Sequence, residues 1–93
     1  MAATAQYETA PADTYTVFLD FSPYHSGGHL GGWNWKVNHP IHGVVGSGIE
    51  HTAKRWAQQQ AVKPVPAGAL YRIVTNHRQY GPLERKPATE LAQ

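Results

Sequence analysis

The chain has 93 residues, no cysteine, 41% apolar and 15% charged residues, and a formal net charge of +2. That length suits one domain burying roughly 60 to 65% of its unfolded surface, and the balance of apolar to charged residues excludes full disorder and a membrane protein alike. Without cysteine there is no disulfide scaffold, no Cys-based zinc site and no thiol nucleophile.

Charge is unevenly placed. Residues 1–35 hold Glu8, Asp13 and Asp20 with neither Lys nor Arg, a net −3, whereas from Lys36 onward all eight Lys and Arg stand against Glu50, Glu84 and Glu90, a net +5. Such a split is compatible with an anionic partner for the second half, but for so small a charge the plainer reading, that the halves differ by chance, is preferred.

Residues 1–13 are small and polar, with Pro11 and no apolar period, so a mobile arm is expected there. The segment also lacks the basic start and apolar centre of a secretory signal, which leads to the expectation of a cytoplasmic protein. From Thr14, the residues Tyr15, Val17, Leu19 and Phe21 alternate with polar ones, the period of a half-buried strand, which Ser22-Pro23 ends. The run 26–32 reads as a loop by its glycines and leads to a second alternating strand, Trp33 to Asn38, with Trp33, Trp35 and Val37 on one face. Pro40 closes it, and Ile41 to Val45 reads as either a short edge extension or a packed loop.

Ser47-Gly48-Ile49-Glu50 has the spacing of a capping box, predicting a helix whose apolar side carries Ile49, Ala53, Trp56, Ala57 and Gln60, with Lys63 at its C-terminal dipole and Pro64 and Pro66 beyond. Truncating a Trp56 buried in this way would cost about 3 to 5 kcal/mol. Ala69 to Thr75 is a third strand without a wholly polar face, so a central place is expected for it. Gly81-Pro82 makes a turn, and 81–93 reads as a C-terminal tail.

These elements predict one α+β domain over 14–80, a small antiparallel or mixed sheet of three to four strands with one helix packed on one face, in β-β-α-β order. The candidate core is Tyr15, Phe21, Trp33, Trp35, Trp56 and Ile73. The longest uncharged stretch, Phe21 to Trp35, is rich in Gly, Ser, His and Asn and falls short of the roughly 18 apolar residues a membrane span needs.

Six histidines, His25, His29, His39, His42, His51 and His77, include pairs four and three apart. The first pair lies in the glycine loop and Pro40 splits the second, with no Cys or neighbouring carboxylate to complete a set, so no metal and no cofactor is expected. Ser22, Ser26 and Ser47 lie outside any nucleophile elbow, the glycines lead into a strand rather than a phosphate-cradling helix, and no local motif pairs two carboxylates. Catalysis is therefore not expected.

Two groupings remain. Tyr24, His25, His29 and Leu30 put ring-bearing and apolar side chains on the glycine loop, where rigid aromatics anchor protein interfaces. Lys54, Arg55, Arg72, Arg78, Arg85 and Lys86, interleaved with Tyr80, have the composition of a nucleic-acid footprint but no known motif. The expectation is a small non-enzymatic binding or regulatory protein acting through a protein partner, of the kind phages encode as modulators of host machinery. The alternative is nucleic-acid binding by the basic second half. A homo-oligomer through an exposed strand edge is compatible with either.

Overall fold

The computed structural model describes residues 13–22, 32–76 and 78–87. Its elements, in chain order, are strand β1 (Tyr15–Ser22), β2 (Gly32–His39), β3 (Gly43–Glu50), helix α1 (Lys54–Val62), then β4 (Leu70–Thr75), β5 (Arg78–Gln79) and β6 (Glu84–Arg85). All six strands form one sheet in the order β3-β2-β1-β4-β5, with β6 also pairing β4. The β1–β4 pair is parallel and the other pairs are antiparallel. The chain is therefore mainly β, a six-stranded mixed sheet. This corrects the expected α+β arrangement of three to four strands with one helix packed on its face. No helix among the described residues is long and apolar enough to cross a membrane.

The largest difference from expectation is β3, which occupies the segment read as a helix start. Ser47 and Glu50 do have capping-box spacing, but Glu50 instead accepts a hydrogen bond from Trp35 Nε1 at 3.2 Å. Val44, Val45 and Ile49 favour the strand through their branched side chains, and Gly46 and Gly48 leave room above it. A Cβ on Gly48 would lie 2.9 Å from Trp35 Cε2 and Cζ2, and one on Gly46 would lie 2.7 Å from Pro64 Cγ. The glycines are thus the floor on which the Trp35 indole and the Pro64 ring rest.

The turn between β2 and β3 is held by a histidine. His39 is buried, and its Nδ1 accepts from the backbone N–H groups of Ile41 at 3.1 Å and His42 at 3.2 Å. Gly43 then takes a left-handed conformation, φ 75°, that a side chain would resist. The His39 ring packs on Tyr15 and stacks on His42, both at 4.5 Å between centroids.

α1 begins seven residues after the expected cap, at Lys54, with Ala53 as an N-cap that makes no side-chain hydrogen bond. Its buried stripe is Ala57 and Ala61, four apart. These two join Val17, Leu19, Val37, Val65, Tyr71 and Ile73 in the core, with Tyr15, Trp33 and Trp35 packed partly buried against it. Small aliphatics, not tryptophans, fill the centre. Trp56 is 48% exposed and Phe21 is exposed as well, which overturns their placement in the core. For Trp56 the reason is which stripe is buried: α1 packs through Ala57 and Ala61, and Trp56 stands about 100° around the axis from Ala57. Trp56→Ala is now expected to lower stability by only about 1 to 2 kcal/mol, as read from a urea midpoint.

The end of the helix is closed from far along the chain. Lys63 is exposed, and the cation at the helix C-terminus is Lys86, 6% exposed. Its Nζ donates to the carbonyls of Val62 (3.2 Å), Lys63 (3.1 Å) and Val65 (2.7 Å). Residues 84–87, read from the sequence as part of a tail, fold onto the sheet: Glu84 pairs with Tyr71, and Arg85 with Leu70. Tyr71 Oη donates to Glu84 Oε1 at 2.9 Å, which fastens the same strand from the core side.

Candidate partner-binding site

The antiparallel β1–β2 pair ends in Ser22 opposite Gly32, preceded by Phe21 opposite Trp33. The segment that carries Tyr24, His25, His29 and Leu30 joins these two strands in sequence, and all four candidates lie outside the described residues. At the end of the strands, Phe21 and Trp33 meet with ring centroids 5.0 Å apart and planes tilted by 57°.

Two further elements bring side chains to the same end. Lys54, the first residue of α1, places Nζ 4.0 Å from the Tyr80 ring centroid and 5.9 Å from that of Trp33. Tyr80 follows β5, is 55% exposed, and is tied to the sheet by its N–H, which donates to the Ile73 carbonyl at 2.7 Å. The turn leading to β5 is fixed in part by Asp20, whose Oδ1 accepts from the Asn76 backbone N–H at 2.7 Å, with Asn76 at φ 49°. Four segments far apart in sequence therefore converge on one ammonium group set between two aromatic faces, with a third ring beside them. A cation over aromatic rings at exposed sites contributes about 0.5 to 1 kcal/mol, enough to orient Lys54 without burying it.

The basic residues of the alternative reading do not form one surface. Lys86 is consumed inside the fold, as described above, so it is corrected from a phosphate contact to a helix-capping group. Arg72 stands on the sheet face away from α1, where its Nε donates to Thr16 Oγ1 at 3.1 Å. Arg85 Nη1 donates to the Gly68 carbonyl at 2.7 Å. Arg55 is exposed and packs its guanidinium 5.1 Å from the ring of Trp56. Arg78 is exposed and lies two residues before Tyr80. Of the seven, Lys54 and Tyr80 are brought together at the aromatic end.

Elsewhere, two of the depressions lined by described residues carry polar side chains. One is lined by Gln58, Gln59, Val62, Lys63 and Tyr71, the other by Phe18, Asp20, Asn34, Trp35 and Lys36. Between them they hold one carboxylate, Asp20, whose Oδ1 accepts from the Asn76 N–H. Lys36 lies 5.4 Å from the Phe18 ring in the second. The His39–His42 pair, singled out by spacing, has His39 Nδ1 turned to backbone N–H groups rather than to an ion. Among the described residues no three His, Asp or Glu side chains gather where they could hold a metal.

Sequence reasoning named both Lys54 and Tyr80 but could not join them, because 25 residues that include the rest of α1, β4 and β5 lie between them. Phe21 and Trp33 were both assigned to the core; Trp33 is half-buried and packs against it, while the exposure of Phe21 at the sheet end has no signal in the alternation that places it on the face of Val17 and Leu19. Comparison with known proteins brings no relative to the argument: the chain matches no family model, no curated protein and no solved structure.

Proposed function

We propose that this chain is a small non-enzymatic binding protein of the cytoplasm that engages a protein partner at the end of the sheet where Phe21, Trp33, Lys54 and Tyr80 meet. The observation that carries the reading is the half-buried Lys54 side chain whose ammonium lies by both the Tyr80 and Trp33 rings, beside an exposed Tyr80 and Phe21. Aromatic rings bury much area for few rotatable bonds, and a cation already oriented on them loses little freedom on binding. A partner segment with an apolar or aromatic side chain next to a carboxylate fits this surface. Tyr24, His25, His29 and Leu30 lie outside the described residues and stay part of the proposal as partner contacts expected from the sequence.

The scatter of cations speaks against the nucleic-acid alternative. Backbone recognition needs several Lys and Arg along one track, and here Arg72, Arg85 and Lys86 are engaged with the protein's own hydrogen-bond acceptors.

The test is capture from a nuclease-treated lysate of the source cell on the immobilised chain, compared with the Lys54→Ala/Tyr80→Ala variant. A protein retained by the parent and lost by the variant, with binding weakened by about 2 kcal/mol or more, is the expected result. Equal recovery by both chains, or recovery that disappears with nuclease, would overturn it.

A further inference from the structure

Strands β1 and β2 set four side chains in a square on the sheet face away from α1. Phe18 pairs with Lys36 and Asp20 with Asn34 across the antiparallel ladder, while Leu19 and Trp35, which lie between them, turn to the core on the helix side. The outer face opens there into a depression of about 300 Å³ lined by Phe18, Asp20, Asn34, Trp35 and Lys36. Clefts that hold small molecules run from about 300 to 1,000 Å³, so only a small ligand fits. Phe18, Asp20 and Asn34 are half-buried in its walls, and Lys36 is exposed at its rim.

The two charges stand at diagonal corners of the square, roughly 7 to 8 Å apart along the ladder. A lysine side chain can span that gap to a carboxylate, yet these two do not pair. Lys36 Nζ lies 5.4 Å from the centroid of the Phe18 ring, and Asp20 Oδ1 accepts from the Asn76 N–H at 2.7 Å. Among the described residues no hydrogen bond is made by Asp20 Oδ2, the Lys36 ammonium or the Asn34 side chain. An ammonium and a carboxylate held apart across a cleft offer a complement to each pole of a zwitterion. A ligand of one sign would meet one attraction and one repulsion. In an α-amino acid the two poles flank a single carbon, and a charge-assisted hydrogen bond of about 2.7 to 2.9 Å at each end bridges it to the two corners. Asn34 adds a donor and an acceptor, and the Phe18 ring offers a face to an apolar side chain.

We propose that this depression binds a free α-amino acid with an apolar side chain, its carboxylate on Lys36, its ammonium on Asp20 and its side chain over Phe18. Phe21 and Trp33 stand on the helix side of the same two strands, so the proposal does not rest on the partner-binding reading.

Titration of the isotope-labelled full chain with L-phenylalanine, followed by its backbone amide signals, tests it. Saturable shifts at Asp20, Asn34 and Lys36 with a dissociation constant of about 0.1 to 1 mM are expected, because the cleft is open and its charges keep much of their water. N-acetyl-L-phenylalanine lacks the ammonium and L-phenylalaninamide lacks the carboxylate, and each should bind about fivefold to tenfold more weakly. Two variants should erase these preferences one at a time. Asp20→Asn keeps an acceptor for the Asn76 N–H and should bind the free amino acid and its N-acetyl form alike. Lys36→Gln should bind the free amino acid and its amide alike. The amide spectrum of each variant reports its fold, and if either does not fold, the ligand series on the parent decides. No saturable shift up to about 10 mM would overturn the proposal. So would derivatives that bind as tightly as the free amino acid, or folded variants that keep the parent's preferences.

Discussion

Lys86→Met should destabilise the fold by about 2 to 3 kcal/mol, a larger effect than the loss of the exposed Trp56 indole. Met keeps most of the volume of the side chain and removes its three donors. The carbonyls of Val62, Lys63 and Val65 then lose a charged partner at the helix C-terminus, where the backbone has no intrahelical donor to offer them. The bond to Val65 is buried, so that carbonyl has no immediate access to water, while the other two recover part of their solvation. Relief from desolvating an ammonium and from ordering a long side chain offsets some of the loss, which is why the figure stays below the sum of three charged hydrogen bonds. A urea midpoint lowered by roughly 1 to 2 M is expected. An unchanged midpoint would mean that residues 84–87 contribute nothing to holding the helix.

Gly48→Val tests the close approach on β3 by its sign. Intrinsic preference favours Val over Gly in a strand, so a propensity argument predicts stabilisation. The geometry predicts the reverse. A Cβ at 2.9 Å from two carbons of the Trp35 indole forces that ring to move, and the ring is tied to Glu50 and packed against the core. Overpacking of this kind costs about 1 to 3 kcal/mol. A melting temperature that falls in Gly48→Val supports the close contact, and one that rises would show that the indole does not rest on this strand.

These two positions also show what could be read from the sequence and what could not. The alternation of Tyr15, Val17, Leu19 and Phe21, and of Trp33, Trp35 and Val37, is visible because side chains of opposite character mark opposite faces, and both segments are strands. β3 carries no such mark. Gly46 and Gly48 erase the alternation, and Ser47 and Glu50 imitate a helix cap whose carboxylate is in fact spent on an indole. That one misreading moved the helix start and removed a strand from the sheet. β5 and β6, at two residues each, are too short for any period to register. Lys86 shows a different limit: a lysine in a charged, proline-flanked run reads as solvated, and only the strand pairing beside Tyr71 reveals that it is buried. For the same reason Lys54 and Tyr80 could be named as candidates, while their meeting with Trp33 depends on the order of strands and not on spacing.

The claim that matters most is that the exposed aromatic end recognises protein and not nucleic acid, and titration of the chain with a random single-stranded oligonucleotide across a range of salt concentrations addresses it most directly. The account predicts no saturable binding at physiological ionic strength, because Arg72, Arg85 and Lys86 are committed within the fold and leave too few cations for a phosphate track. Tight binding that weakens steeply with salt, and that is lost in the Lys54→Ala/Tyr80→Ala variant, would contradict it.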